Sequence, residues 1–149
     1  MSLMPWLELE DQLLLDGEDF RVVASLQGRT DRLTFQCLLA EPLLGGEGRR
    51  LLQLEDALME AVPIPPERLN EETTRLDERT FTLRWDDELR IERAAVGSRT
   101  RFGRGRCRWF EADDGSVAVL IEDRDGREAL VGVPLARGRY DLSYTEGLR

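Results

Sequence analysis

Adjacent carboxylates are the residues of this chain best suited to chemistry on their own. Four groups stand out: Asp86-Asp87 with Glu88 beside them, Asp113-Asp114, Glu55-Asp56 and Glu122-Asp123. Such pairs hold hard cations or divide acid and base roles between them. The first two groups fall between alternating segments, at hairpin-tip positions where Asp side chains bond nearby backbone N–H groups. No segment has the ligand spacing of an EF-hand loop. Glu55-Asp56 and Glu122-Asp123 close two strands of similar sequence. They either meet across a pseudo-twofold axis or cap their strands beside a neighbouring Arg. The simpler roles, turn formation and capping, are expected of all four.

Arginine supplies the second chemistry. All 21 basic residues are Arg, and the chain has neither Lys nor His, a bias that GC-rich codon usage produces. Without His the commonest general base and metal ligand is missing. Without Lys there is no Schiff base, P-loop lysine or Ser-Lys dyad. Arg99, Arg101, Arg104, Arg106 and Arg108 crowd one segment. In a strand, Arg104, Arg106 and Arg108 share a side at a pitch of about 6.6 Å, and Gly103 and Gly105 let that strand bend. Guanidiniums so spaced grip phosphates or carboxylates; otherwise they meet acids on adjacent strands, such as Asp113, Glu122 or Glu128. Arg101, Arg104, Arg106 and Arg108 are therefore the candidate interaction surface. A nucleic-acid partner is not expected of a chain with net charge −9.

The remaining candidates add no chemistry. Cys37 and Cys107 are too few for a structural zinc site and are expected to be reduced and largely buried. Gly45-Gly46-Glu47-Gly48 lacks the Lys and Ser/Thr of a phosphate loop, and no Ser sits in a Gly-x-Ser-x-Gly elbow. Phe81, Trp85, Phe102, Trp109 and Phe110 read as core or sheet-face packing. No catalytic residue, metal site or cofactor is expected.

The elements that position these groups read as strands. Phe20–Leu26, Leu33–Leu39 and Arg50–Glu55 alternate, and Asp56–Ala61 reads as one helical turn. Val62-Pro63-Ile64-Pro65-Pro66 interrupts regular structure, so residues 63–75 read as a connector. Alternation resumes over Arg79–Trp85, turns at Asp86-Asp87, and continues over Glu88–Val96, Arg104–Glu111, Val117–Glu122 and Arg127–Val131, with a last strand over Tyr140–Tyr144. Long helical periodicity is absent, so the fold class is all-β.

The two halves, about 13–62 and 76–135, look alike. Phe20 aligns with Phe81, Cys37-Leu38-Leu39-Ala40-Glu41 with Cys107–Glu111, and Leu52–Asp56 with Val119–Asp123, at offsets of 61, 70 and 67. This predicts an internal duplication: one compact unit of 149 residues made of two similar small barrel-like or sandwich-like halves, with at most one or two short helices.

Arg108-Trp109-Phe110-Glu111, Leu120-Ile121-Glu122-Asp123 and Gly126-Arg127-Glu128 through Gly132, with Phe20-Arg21-Val22 and Arg50–Glu55 in the first half, resemble the bacterial domain-of-unknown-function family numbered 4178. Genes of that family often lie beside phage-shock-type membrane-stress genes. The chain departs from the pattern at Leu51, where a Trp is expected, and in having no Tyr near Phe35. The resemblance implies a bacterial all-β protein and brings no activity.

Composition sets the remaining expectations. Hydrophobic residues make up 41% and charged residues 34%, the balance of a globular protein. Residues 1–60 hold 12 acids against 5 arginines, whereas residues 101–149 hold 9 of each, so the basic segment lies outside the most acidic third. No apolar run approaches the roughly 20 residues that cross a bilayer, and the start lacks a signal-peptide pattern. The expected protein is thus cytoplasmic, non-catalytic, and a binding or scaffolding module for a protein partner near membrane-stress machinery. The alternative is a barrel that binds a small anionic ligand through Arg99–Arg108.

Overall fold

Alternation of side chains along nearly the whole chain is realised as eleven strands in a computed structural model that describes residues 4–143. These are β1 (Gln12–Leu15), β2 (Glu18–Arg29), β3 (Thr34–Pro42), β4 (Arg49–Gln53), β5 (Leu58–Ile64), β6 (Thr73–Leu76), β7 (Arg79–Ala95), β8 (Arg101–Glu111), β9 (Val117–Asp123), β10 (Gly126–Pro134) and β11 (Tyr140–Ser143). Two short 3₁₀ turns, Pro66–Leu69 and Arg137–Arg139, complete the described elements. The fold is all-β, an eight-stranded closed barrel with extra strands. Its order is β2-β3-β4-β5-β10-β9-β8-β7, closed by pairing of β7 with β2. β1 and β11 extend the sheet beyond β2, and β6 extends it beyond β7. The segments 13–62 and 76–135 do not close two barrels; each contributes four strands to one.

The pairings of the first five strands recur in the next five. Arg21 lies opposite Glu41, as Thr82 lies opposite Glu111. Each long strand carries a register shift at the equivalent place, between Val22 and Ala24 and between Leu83 and Trp85. The hairpins that open the halves turn alike: Asp16 and Gly17 have φ of 50° and 83°, Asp77 and Glu78 have 47° and 66°, the positive values of a two-residue hairpin turn. Arg29 lies opposite its counterpart Arg90, and Val62 opposite its counterpart Val131. A pseudo-twofold axis therefore crosses the barrel through these two pairs and exchanges its ends.

Three apolar clusters follow from the alternation. Inward residues, including Leu26, Phe35, Leu52, Leu89, Cys107, Trp109 and Ile121, fill the barrel. Outward residues of β2, β3 and β4 form a second cluster with Leu7, Leu13 and Leu15. Outward residues of β8, β9 and β10 form a third with Leu69, Leu76 and Phe81. The second is covered by the stretch before β1, whose backbone is tied down by buried amides. Gln53 Oε1 accepts from the Leu7 N–H at 3.0 Å, and Gln36 Nε2 donates to the Leu7 carbonyl at 2.9 Å. Where strands approach closely only glycine fits. A Cβ on Gly28 would stand 2.4 Å from the Phe35 ring, and one on Gly105 would stand 1.9 Å from the Glu122 carbonyl oxygen.

Several expectations from sequence are corrected. Asp86-Asp87 form no turn, because β7 runs straight through them, with Asp86 paired to Arg106 and Asp87 to Arg32. Asp56–Ala61 is turn and strand, with no helical turn. Residues 63–75 are no linker: Pro63 lies in β5 opposite Leu130, and Leu69 is buried in the third cluster. Cys37 faces Leu52 as Cys107 faces Ile121, so Leu52 corresponds to Ile121, two residues beyond Val119. A slip of two keeps every side chain on its face, which is why the patterns matched. Glu55-Asp56, at the other end of the barrel from Glu122-Asp123, then correspond to Arg124-Asp125. Tyr144 lies outside the described residues.

The first hairpin turn is also an ionic clasp. Arg139 donates to Asp16 at 2.7 and 2.9 Å and Arg49 at 3.0 Å. These bonds, foremost those from Arg139, pull the Asp16 carboxyl down to about 2 from its ordinary 3.8. Its contribution to stability is therefore present above pH 3.8 and is lost as pH falls towards 2. Asp16→Asn keeps a residue that tolerates positive φ and removes the charge. Thermal denaturation between pH 6 and pH 2 should show a shallower acid decline for the variant than for the native chain, with the two curves converging at the acid end.

Candidate functional site

Inward side chains differ between the two ends of the barrel. At the end where the β2–β3, β4–β5 and β8–β9 turns gather, Trp85 and Trp109 stack with centroids 5.4 Å apart and planes 4° from parallel. Phe35 packs on Trp109 at 5.5 Å, and Leu33, Leu54 and Ala57 pack against the same cluster. That end is plugged by aromatic and aliphatic groups.

The pseudo-twofold axis carries those plug positions onto different residues. Ala24 and Leu39 pair with each other just as Trp85 and Trp109 do. Arg50 beside Leu39 takes the place of Val119 beside Trp109. Asp123 stands for Leu54, and Glu128 for Met59. Two indoles are thus replaced by a methyl and an isobutyl group, and three apolar side chains by charged ones. The outcome is a cavity of about 340 Å³ opening at this end. Leu26, Cys37, Leu39, Ile121 and Leu130 line its wall, while Arg50, Arg93, Arg99, Arg101 and Glu128 stand around it.

Charges at the mouth are partly neutralised. Arg93 on β7 donates to Asp123 on β9 at 2.8 Å and to Glu128 on β10 at 3.0 Å. The Arg93 bond, helped by the Asp125 and Gly126 N–H groups, holds the Asp123 carboxyl below its ordinary value. Arg101 approaches Asp125 at 4.0 Å. Arg50 and Arg99 have no hydrogen bond or ion pair among the described residues.

The arginine segment picked out by sequence is divided by the barrel wall. Arg101 belongs to the mouth, whereas Arg104, Arg106 and Arg108 point outward. Arg106 meets Asp86 at 2.9 Å. Arg108 donates to the Leu69 and Asn70 carbonyls at 3.1 and 2.9 Å and lies over the Phe110 ring. These partners are not the Asp113, Glu122 or Glu128 expected from sequence. Arg104 has no such partner among the described residues; it lies beside Arg90, which lies beside Arg29, an exposed row across three strands. Phe102, expected to pack, is 78% exposed on the same outer wall. Arg50 and Arg93 were missed because they are scattered through the sequence, and Asp123 and Glu128, picked out as a paired carboxylate and as an arginine partner, were not placed together with them. Comparing the two halves position by position is the signal that finds them.

No family model matches the chain, and neither do the curated proteins or the solved structures.

Cys37 and Cys107 are free thiols at equivalent positions inside the barrel. Burial pushes the Cys37 thiol up to about 12 and raises that of Cys107 as well. Neither is a thiolate at neutral pH, so neither is an activated nucleophile. Cys37 borders the cavity and Cys107 is fully buried. At pH 8 a small alkylating reagent should modify Cys37 slowly and Cys107 more slowly still, with both reacting rapidly in denaturant, as mass spectrometry of timed samples reads directly.

Proposed function

We propose that this protein is a binding barrel that takes a small molecule through its one open end and holds it without transforming it. The observation that carries this reading is the difference between the ends: one is filled by the Trp85–Trp109 stack, and the other keeps a cavity at the equivalent positions. An eight-stranded barrel is just wide enough to be filled by side chains or to hold one small ligand; here each end takes one of those options. Apolar walls with a few polar groups at the rim are the usual make-up of a ligand pocket. The reading includes an internal duplication in which one copy supplies the plug and the other the site. It refines the alternative drawn from sequence, since Arg101 stays in the site while Arg104, Arg106 and Arg108 leave it.

Restoring the plug tests the reading. Ala24→Trp places an indole where Trp85 stands at the closed end, and Leu39→Trp does the same for Trp109. The native protein should enhance the fluorescence of anilinonaphthalene sulfonate, and each variant should keep the fold and abolish that enhancement. Undiminished dye binding in both folded variants would show that the cavity is not the site.

A second reading, docking of a protein partner, is favoured by the exposed row of Arg29, Arg90 and Arg104 beside exposed Phe102. Arg and aromatic residues are the usual anchors of protein interfaces. Charge reversal by Arg29→Glu with Arg104→Glu should then remove a partner captured from lysate and leave dye binding unchanged.

A further inference from the structure

We infer that the ligand of the open end is an amphipathic monoanion, its apolar body inside the barrel and its acidic head between Arg50 and Arg99; this rests on the binding role proposed above. Depth is the first argument. Leu26, Cys37, Ile121 and Leu130 line the cavity, whereas Arg50, Arg99 and Arg101 are exposed at its mouth. A ligand that matches this gradient has an apolar end and a polar end.

Charge is the second argument. The cavity is bordered by four guanidiniums, those of Arg50, Arg93, Arg99 and Arg101, and by the Glu128 carboxylate, with Asp123 and Asp125 beside them as ion-pair partners of Arg93 and Arg101. Arg93 is satisfied twice, by Asp123 and Glu128, and Arg101 lies near Asp125. The excess is one positive charge, and the side chains without a partner among the described residues are Arg50 and Arg99. A single negative head completes the set; a second negative charge would face Glu128 and Asp123 with nothing left to balance it.

Position is the third argument. In the closed order of the barrel, β4, which carries Arg50, is diametrically opposite β8, whose preceding turn carries Arg99. A head group centred in the mouth is therefore approached from both sides by planar donors suited to oxyanions. The equivalent of Arg50 at the closed end is Val119, so this pair of donors belongs to the open end alone.

One eight-carbon chain bearing different heads separates the possibilities. Octanoate, octyl sulfate, octyl phosphate, octan-1-ol and octylamine are compared by competition with the dye on the intact protein. Octanoate and octyl sulfate should each bind at least about tenfold tighter than octanol, a difference of about 1.4 kcal/mol, and octylamine should bind weakest. Octyl phosphate, which carries more than one charge near neutral pH, should gain nothing over octanoate. Arg50→Ala with Arg99→Ala should bring octanoate down to the affinity of octanol while leaving octanol unchanged, and the unchanged octanol value shows that the variant is folded. Octanol binding as tightly as octanoate would overturn the inference and leave the cavity reading standing. Octyl phosphate binding tenfold tighter than octanoate would also overturn it, in favour of a dianion. If no compound competes and the plugged variants keep dye binding, the cavity reading falls as well.

Discussion

Closure of the barrel by two pairings, β2 with β7 and β5 with β10, is the constraint on which everything else depends. Each pairing joins a strand to its own counterpart, antiparallel about the same axis. A four-stranded half alone would present two open edges, and open edges are places where sheets aggregate. Two halves brought together remove those edges at once. The same arrangement sets the register: Arg29 opposite Arg90 and Val62 opposite Val131 leave each inward position facing the interior at a height dictated by its counterpart. Glycine is required where the wall draws tightest, since Gly105 lets β8 approach β9 without a side chain striking the Glu122 carbonyl.

Once the wall is closed its width cannot adjust to the side chains within it. Replacing a pair of indoles by Ala24 and Leu39 therefore leaves space that the backbone cannot collapse to fill, because each strand is hydrogen-bonded on both sides. A dry void of that size would forfeit packing on every wall. Here the space meets solvent, and the residues beside it are charged in place of Val119, Leu54 and Met59. Those charges remain hydrated or paired at the rim and let water stand in the mouth, so the two exchanges are linked: an unplugged end is tolerable where its rim is polar. The outer clusters under Leu7 and Leu69 carry their share of the stability on the outside of the wall, so the barrel does not rely on a complete interior.

Much of the plan was legible in the sequence, and the exceptions share a cause. Alternation identified most strands because period two is a local property. Matching Phe20 with Phe81 and Glu41 with Glu111 puts like residues at like places in the ladders, Arg21 opposite Glu41 and Thr82 opposite Glu111. Asp86-Asp87 read as a turn because Asp favours turns, but pairing along the whole of β8 and ionic contacts to Arg106 and Arg32 outweigh a weak local preference. Pro63 read as a stop, yet a single proline ends a strand only where its missing N–H is needed. The β4–β9 alignment slipped by two because such a slip preserves the face of every residue. The mouth was legible only in part: Arg99 and Arg101 stood in the arginine segment, but Arg50, Arg93, Asp123 and Glu128 join them only after closure and no short motif contains them.

Arg93 shows how the open end differs from an ordinary charged surface. Exposed ion pairs are worth roughly 0–1 kcal/mol each, so a rim of such pairs would not by itself hold a mouth in shape. Arg93 is only 28% exposed, and the side chain of Asp123 only 10%. It spans from β7 to carboxylates on β9 and β10, and the Asp125 N–H fixes Asp123 from behind at 2.8 Å. A guanidinium fixed by two carboxylates is already neutralised and acts as a strut. Arg93 with its two acids keeps one net negative charge, so the mouth's excess of one positive charge rests on the two guanidiniums, Arg50 and Arg99, that have no carboxylate of their own. Selectivity at such a site is therefore set less by how many arginines surround the opening than by which of them the protein has left without a carboxylate.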